Sequence, residues 1–145
     1  MVVGQTAEDG IYALYAHAGS YRFMCEPGSA DSYILPRTST LWPITGPTTL
    51  DFDLSGVEWI GTVRSAATLS PIAGVWVRAN LFGDYYYRSA TAKTSAGGQF
   101  RVVLEPGREY SLSFRSPATA DLTFPGFLAS NDTTFDILLD PAPVP

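Results

Sequence analysis

The 145-residue chain is poor in the side chains that do most protein chemistry. It has one histidine, His17, one cysteine, Cys25, and one lysine, Lys93. Nucleophilic catalysis needs a nucleophile, a base and an orienting group that converge, and nothing near His17 supplies the other two. His17 is therefore expected to be a solvated turn residue. A lone cysteine allows neither an intrachain disulfide nor a Cys-based zinc site. Asp51 and Asp53 lie two apart in "TTLDFDL", so in a strand their carboxylates would share one face, opposite Leu50, Phe52 and Leu54. A calcium site needs roughly six or more oxygens. The pair is better read as solvated edge charges that discourage sheets from sticking together. No catalytic, cofactor-binding or metal-binding residue is assigned, and the chain is not expected to be an enzyme.

The strongest candidate for contact with a ligand or partner is "YYYR", comprising Tyr85, Tyr86, Tyr87 and Arg88. In a strand, Tyr85 and Tyr87 would share one face and Tyr86 the other. Exposed tyrosines stack on sugar rings or anchor a protein partner; the competing expectation is ordinary packing of a strand. "NDT" at Asn131 to Thr133 is an N-glycosylation sequon, which matters only where that machinery exists.

Hydrophobic residues make up 46% of the sequence, enough for a buried core. The formal net charge is −5 and the basic residues are scattered, which argues against a phosphate-binding surface and a nucleic-acid partner. No apolar run is long enough to span a bilayer as a helix, so membrane insertion is not expected. The first residues, "MVVGQTAEDG", lack the basic and apolar regions of a signal peptide. The tail "DPAPVP" has the spaced prolines of an extended linker.

Period-two alternation marks the elements that must carry these residues. Trp59, Gly61 and Val63 share one face, followed by Val75, Val77 and Ala79, and then an aromatic strand around Tyr85 to Ala90. Phe100, Val102 and Leu104 come next, then Tyr110, Leu112 and Phe114, and finally Phe135, Ile137 and Leu139. The last strand, "TTFDILL" at Thr133 to Leu139, closely copies "TTLDFDL" at Thr48 to Leu54. Between them runs an ordered series of matches. Thr6, Gly10 and Gly19 correspond to Thr94, Gly98 and Gly107; Tyr21, Phe23, Cys25 and Pro36 correspond to Tyr110, Leu112, Phe114 and Pro125. Such a series predicts an internal repeat. Because Cys25 matches the inward Phe114, it is expected to be a small buried hydrophobe. Strands are also expected at Tyr12 to Ala16 and Leu50 to Leu54.

The predicted class is all-β, an antiparallel Ig-like or transthyretin-like sandwich in two tandem modules. Residues 1–55 form a partial module without its N-terminal strands, 56–140 a complete one, and 141–145 a Pro-rich linker or tail. An incomplete sandwich leaves unpaired edge groups that invite another strand.

The stretch Ile60 to Phe114 resembles the carboxypeptidase regulatory-like domain, a transthyretin-like β-sandwich. The resemblance rests on Gly61 and Val63, on Pro71, Gly74, Val75 and Val77, on Thr94, Gly98 and Phe100, and on Pro106, Gly107 and Tyr110. The corner departs by one residue, since Arg108 and Glu109 both separate Gly107 from Tyr110. The resemblance implies a non-catalytic spacer, accessory or adhesive module, extracellular or at the cell surface. Collagen-adhesin B-type repeats, a related family, form an internal isopeptide from a first-strand lysine. Here that strand offers Arg64, whose guanidinium is no such nucleophile, so no isopeptide is expected. The expected partners are other copies of the chain or neighbouring modules, with strand exchange giving a filament subunit. The alternative is a polysaccharide-binding or spacer module of a larger secreted enzyme.

Overall fold

The computed structural model describes residues 3–143, and two compact units emerge among them. Unit 1 comprises the described residues of Met1–Met24 with Thr38–Phe52; unit 2 comprises those of Cys25–Arg37 with Asp53–Pro145. The eleven strands are β1 (Gly19–Tyr21), β2 (Met24–Cys25), β3 (Arg37–Thr38), β4 (Trp42–Ile44), β5 (Val57–Ser65), β6 (Trp76–Leu81), β7 (Ser89–Lys93), β8 (Gln99–Leu104), β9 (Glu109–Arg115), β10 (Leu122–Leu128) and β11 (Thr133–Leu139). A single 3₁₀ turn, Ser29–Asp31, is the only helical element among the described residues.

Unit 2 holds a β-sandwich. Val, Thr and aromatic residues at alternate positions suit a pleated surface with one face dry. One sheet runs β10-β9-β6-β7, the other β11-β5-β8. The pairs β5–β8, β6–β7, β6–β9 and β9–β10 are antiparallel, whereas β11 lies parallel to β5 from Thr133 opposite Trp59 to Leu139 opposite Ser65. The inward rows expected from alternation meet in the core: Trp59 and Val63, Val77 and Ala79, Val102 and Leu104, Tyr110, Leu112 and Phe114, Ile137 and Leu139 are all buried. Trp59 makes edge-to-face contacts with Tyr110, Phe127 and Phe135, each worth about 0.5–1.5 kcal/mol beyond area burial. Its indole N–H is buried without a hydrogen-bond acceptor among the described residues.

Gly61, Thr94, Gly98 and Tyr110 each hold a local joint of this sandwich. A Cβ on Gly61 would sit 2.6 Å from the Phe100 ring, so the two strands approach only because that position is glycine. Gly98 has φ +74°, and its carbonyl accepts the Val63 N–H at 2.8 Å; a side chain there would be strained. The Thr94 hydroxyl donates to Ile72 O at 2.7 Å and accepts the Val75 N–H at 2.9 Å. The Tyr110 hydroxyl donates to Glu105 O at 3.0 Å, tying the β9 corner to the turn before it.

Several expectations are corrected. The aromatic strand does not exist as expected, because Tyr85 to Tyr87 lie in a turn and β7 begins only at Ser89. "TTLDFDL" and Tyr12 to Ala16 form no strand, although both alternate. Alternation supplies a face but not a pairing partner, and a strand needs both. Strand β10 was not expected, since Pro125 and Gly126 interrupt it with a register shift between Phe124 and Phe127.

Unit 1 contains a short antiparallel ladder in which β1 meets β4, from Gly19 opposite Ile44 to Tyr21 opposite Trp42. Tyr12 donates its hydroxyl to Leu50 O and packs 6.4 Å from the Phe52 ring. "AEDG" closes a turn, with Gly10 N donating to Ala7 O at 2.9 Å.

Candidate functional site: a clasped segment and a tyrosine turn

Within unit 2, the segment Ser32 to Arg37 lies against the edges of both sheets. The Thr91 N–H on β7 donates to Ser32 O at 2.8 Å, and the Ser32 hydroxyl donates back to Thr91 O at 3.3 Å. On β8, Val103 N donates to Tyr33 O at 2.8 Å, and Leu35 N donates to Val103 O at 2.9 Å. Ile34 makes a parallel bridge to Val103. Between these bonds Leu35 enters the core with 0% exposure. The segment thus satisfies edge groups on two sheets and fills the gap between them with one leucine.

Arg88 fastens it. The guanidinium is buried, with Nε 3.1 Å from Asp84 Oδ2 and Nη1 3.5 Å from Glu105 Oε2. Nη1 also donates to Pro36 O at 3.1 Å. Asp84 accepts the Arg88 backbone N–H at 2.9 Å as well, which bends the chain into a turn. Burial alone would raise the Asp84 pKa. The hydrogen bonds and charge of Arg88 outweigh that and hold the carboxyl below its ordinary value. Arg37 is buried too; its Nη2 donates to Ser55 O at 2.8 Å and Nη1 to Leu35 O at 3.4 Å. Desolvation lowers its pKa, against an opposing pull from Glu105. Burial, with the nearby Glu105 charge, pushes Tyr110 up to about 12.

The four residues of "YYYR" therefore part company. Tyr85 and Tyr87 project into solvent at 84% and 86% exposure, and Tyr86 packs edge-on 5.2 Å from the Tyr85 ring. Tyr87 has φ +52°, a conformation that a bulky side chain adopts at a cost. Arg88 turns inward and clasps Pro36. The clasp and the docked segment escaped sequence reasoning; their signal was the apolar "YIL" ahead of Pro36, too short to show a period.

The remaining candidates lie apart from this arrangement. His17 is exposed and its carbonyl accepts the Tyr21 hydroxyl at 2.7 Å. Cys25 is half-buried, and burial pushes its thiol pKa up. Asp53 Oδ1 accepts the Ser55 N–H at 2.9 Å, and hydrogen bonding from the Ser55 side chain, with that backbone bond, draws its pKa down. Among the described residues no three His, Cys, Asp or Glu side chains converge as metal ligands. No helix among them is long and apolar enough to cross a membrane.

No family model and no curated protein matches the sequence. Among solved structures, a shaft pilin spaA variant from Lactobacillus rhamnosus GG is 12% identical, with 98% of this chain and 70% of the pilin covered and a TM-score of 0.44. The dioxygenase domain of a dioxygenase carbohydrate-binding protein fusion from Streptomyces sp. SirexAA-E is 19% identical over 60% of this chain and 82% of that one, with a TM-score of 0.43. 3-Chlorocatechol 1,2-dioxygenase from Rhodococcus opacus 1CP is 13% identical over 68% of this chain and 71% of that one, at 0.43. At these values no activity transfers to this chain.

Proposed function

We propose that the protein is a non-catalytic structural or adhesive module of the cell exterior, completed by strand exchange between copies and so suited to a filament. The observation that carries this is the docked segment. Ser32 to Arg37 completes the β7 and β8 edges, yet the chain on either side of Cys25–Arg37 belongs to the other unit. A second copy can offer the same segment with the same hydrogen bonds, since nothing in those bonds depends on chain continuity. Residues 1–55 are then the remainder of a tandem module, and 56–140 is the carboxypeptidase regulatory-like module that accepts the segment. Residues 141–145 are then a Pro-rich linker or tail.

Tyr85 and Tyr87, exposed on a turn held by Asp84 and Arg88, are proposed contacts with a neighbouring copy or module. Sedimentation across a concentration series, before and after mild unfolding and refolding, tests the assembly. Dimers or longer chains should appear with rising concentration and diminish in Tyr85→Ala/Tyr87→Ala. A monomer under every condition, with no fibres by electron microscopy, would sink the reading.

A further inference from the structure

The outer face of the β10-β9-β6-β7 sheet in unit 2 gathers cations around one exposed tryptophan. Alternation along β6 turns Val77 and Ala79 into the core and leaves Trp76 and Arg78 outside. The register then fixes their neighbours. Trp76 lies opposite Lys93 on β7 and opposite Arg115 on β9, so a cation flanks the indole on each side. Arg78, opposite Thr91 and Ser113, is the diagonal neighbour of both. Long side chains reach across such a diagonal. All three cations are exposed, and Trp76 is 54% exposed. Glu109, at the far end of β9, is the only acid in the four strands of this sheet. That is unexpected for a chain of net charge −5.

Little within unit 2 neutralises the cluster. The Lys93 ammonium rests 5.1 Å from the centre of the Trp76 ring and has no carboxylate partner among the described residues. Arg78 has none among them either. Arg115 meets Asp121 at 3.6 Å, but both side chains are well exposed, and such a pair is worth little.

We infer that this face binds an acidic polysaccharide, with a sugar ring on Trp76 and its anionic group held by Arg78 between Lys93 and Arg115. The guanidinium fork suits a carboxylate or sulfate. The indole supplies a flat apolar surface for the ring. The exposed contact between Lys93 and Trp76 is weak, so the ammonium can leave the ring for the anion. Thr91, Ser111 and Asn80, outward on the same three strands, offer hydroxyls and an amide to further sugar hydroxyls. A protein partner fits less well. A stable protein interface buries about 800 Å² on each side around an apolar centre. Here Trp76 is the one large apolar side chain facing outward from β6, β7 and β9. The site needs no exchange of segments between copies and stands whether or not filaments form.

The test is an NMR titration of the full chain with a galacturonic acid trimer, a sulfated galactose trimer, a neutral galactose trimer and a hexa-aspartate peptide. At least one acidic trimer should shift the Trp76 indole N–H and the Arg78 amide and saturate, with affinity falling as salt rises; which of the two binds tells carboxylate from sulfate. The neutral trimer should bind about tenfold more weakly. Arg78→Gln should cost the acidic trimer about tenfold and leave the neutral one unchanged, whereas Trp76→Thr should weaken both. Thermal melts check that both variants, altered only at exposed positions, remain folded. Lack of binding by either acidic trimer overturns the proposal, as does equal binding of the neutral trimer or tighter binding of the peptide. So does acidic-trimer affinity that is unchanged in Arg78→Gln or in Trp76→Thr.

Discussion

The two sides of the unit 2 sandwich treat their edges in opposite ways. On one side β7 and β8 are regular edges, and another stretch of chain covers them with backbone hydrogen bonds and a buried leucine. On the other side β10 and β11 carry no further strand among the described residues. There the sequence blunts the edge itself. Pro125 removes a donor and the bulge beside it breaks the register of β10. Asp136 within β11, and Asp132 and Asp140 just beyond its two ends, are exposed acids. The difference teaches which edge is meant to be joined. A side protected by local chemistry repels strands, and a side left chemically plain is one that a strand completes.

The largest expected effect comes from breaking the clasp on the covered side. Arg88→Ala leaves Asp84 buried without its partner and frees Pro36 O, and should cost about 3–5 kcal/mol of stability. Chemical denaturation measures it. The Thr91 and Val103 amides should exchange with solvent faster in the same variant. A loss below about 1 kcal/mol would mean that the clasp is ornamental.

A smaller effect follows from the corner that positions Glu105 beside the clasp. The pKa of Tyr110 is raised to about 12 in the fold, against about 10 for a free tyrosine. The neutral phenol therefore favours the folded state. Its contribution is fully present below about pH 10 and disappears as pH rises through about 12. Tyr110→Phe should lose about 1 kcal/mol at neutral pH and show a shallower alkaline decline. An unchanged alkaline slope would show that other groups set it. Asp84 acts at the opposite end of the scale. Its lowered pKa stabilises the fold above the ordinary carboxylate range, and that contribution is lost as pH falls through the folded value.

The smallest effect on stability probes the open side. Pro125→Thr restores a backbone donor at an exposed position of β10 and should change stability by no more than about 0.5 kcal/mol. Light scattering should nevertheless show more self-association. If it does not, the proline is not what guards that edge.

Much of the sandwich is legible in the sequence, because β5, β6, β8, β9 and β11 each put an alternating apolar row into one core. The tyrosine turn deceives: three β-favouring aromatics read as a strand, but Asp84 and Arg88 close them into a loop. "TTLDFDL" deceives in another way. It carries the alternation of β11 but has no counterpart to β5, and β11 exists because seven residues of β5 lie beside it. The docked segment is illegible for a third reason. Its role depends on gaps left by strands more than fifty residues away, and no local period records those gaps.

The central claim is that Cys25–Arg37 completes the sandwich as a separable piece. The most direct measurement is the melting temperature of Leu35→Asp, with and without a synthetic peptide of residues 25–37. A charged side chain at this wholly buried site should expel the segment and lower the melt sharply. The account predicts that the peptide, carrying Leu35, restores most of that loss in proportion to its concentration. A variant that melts early and ignores the peptide would contradict it.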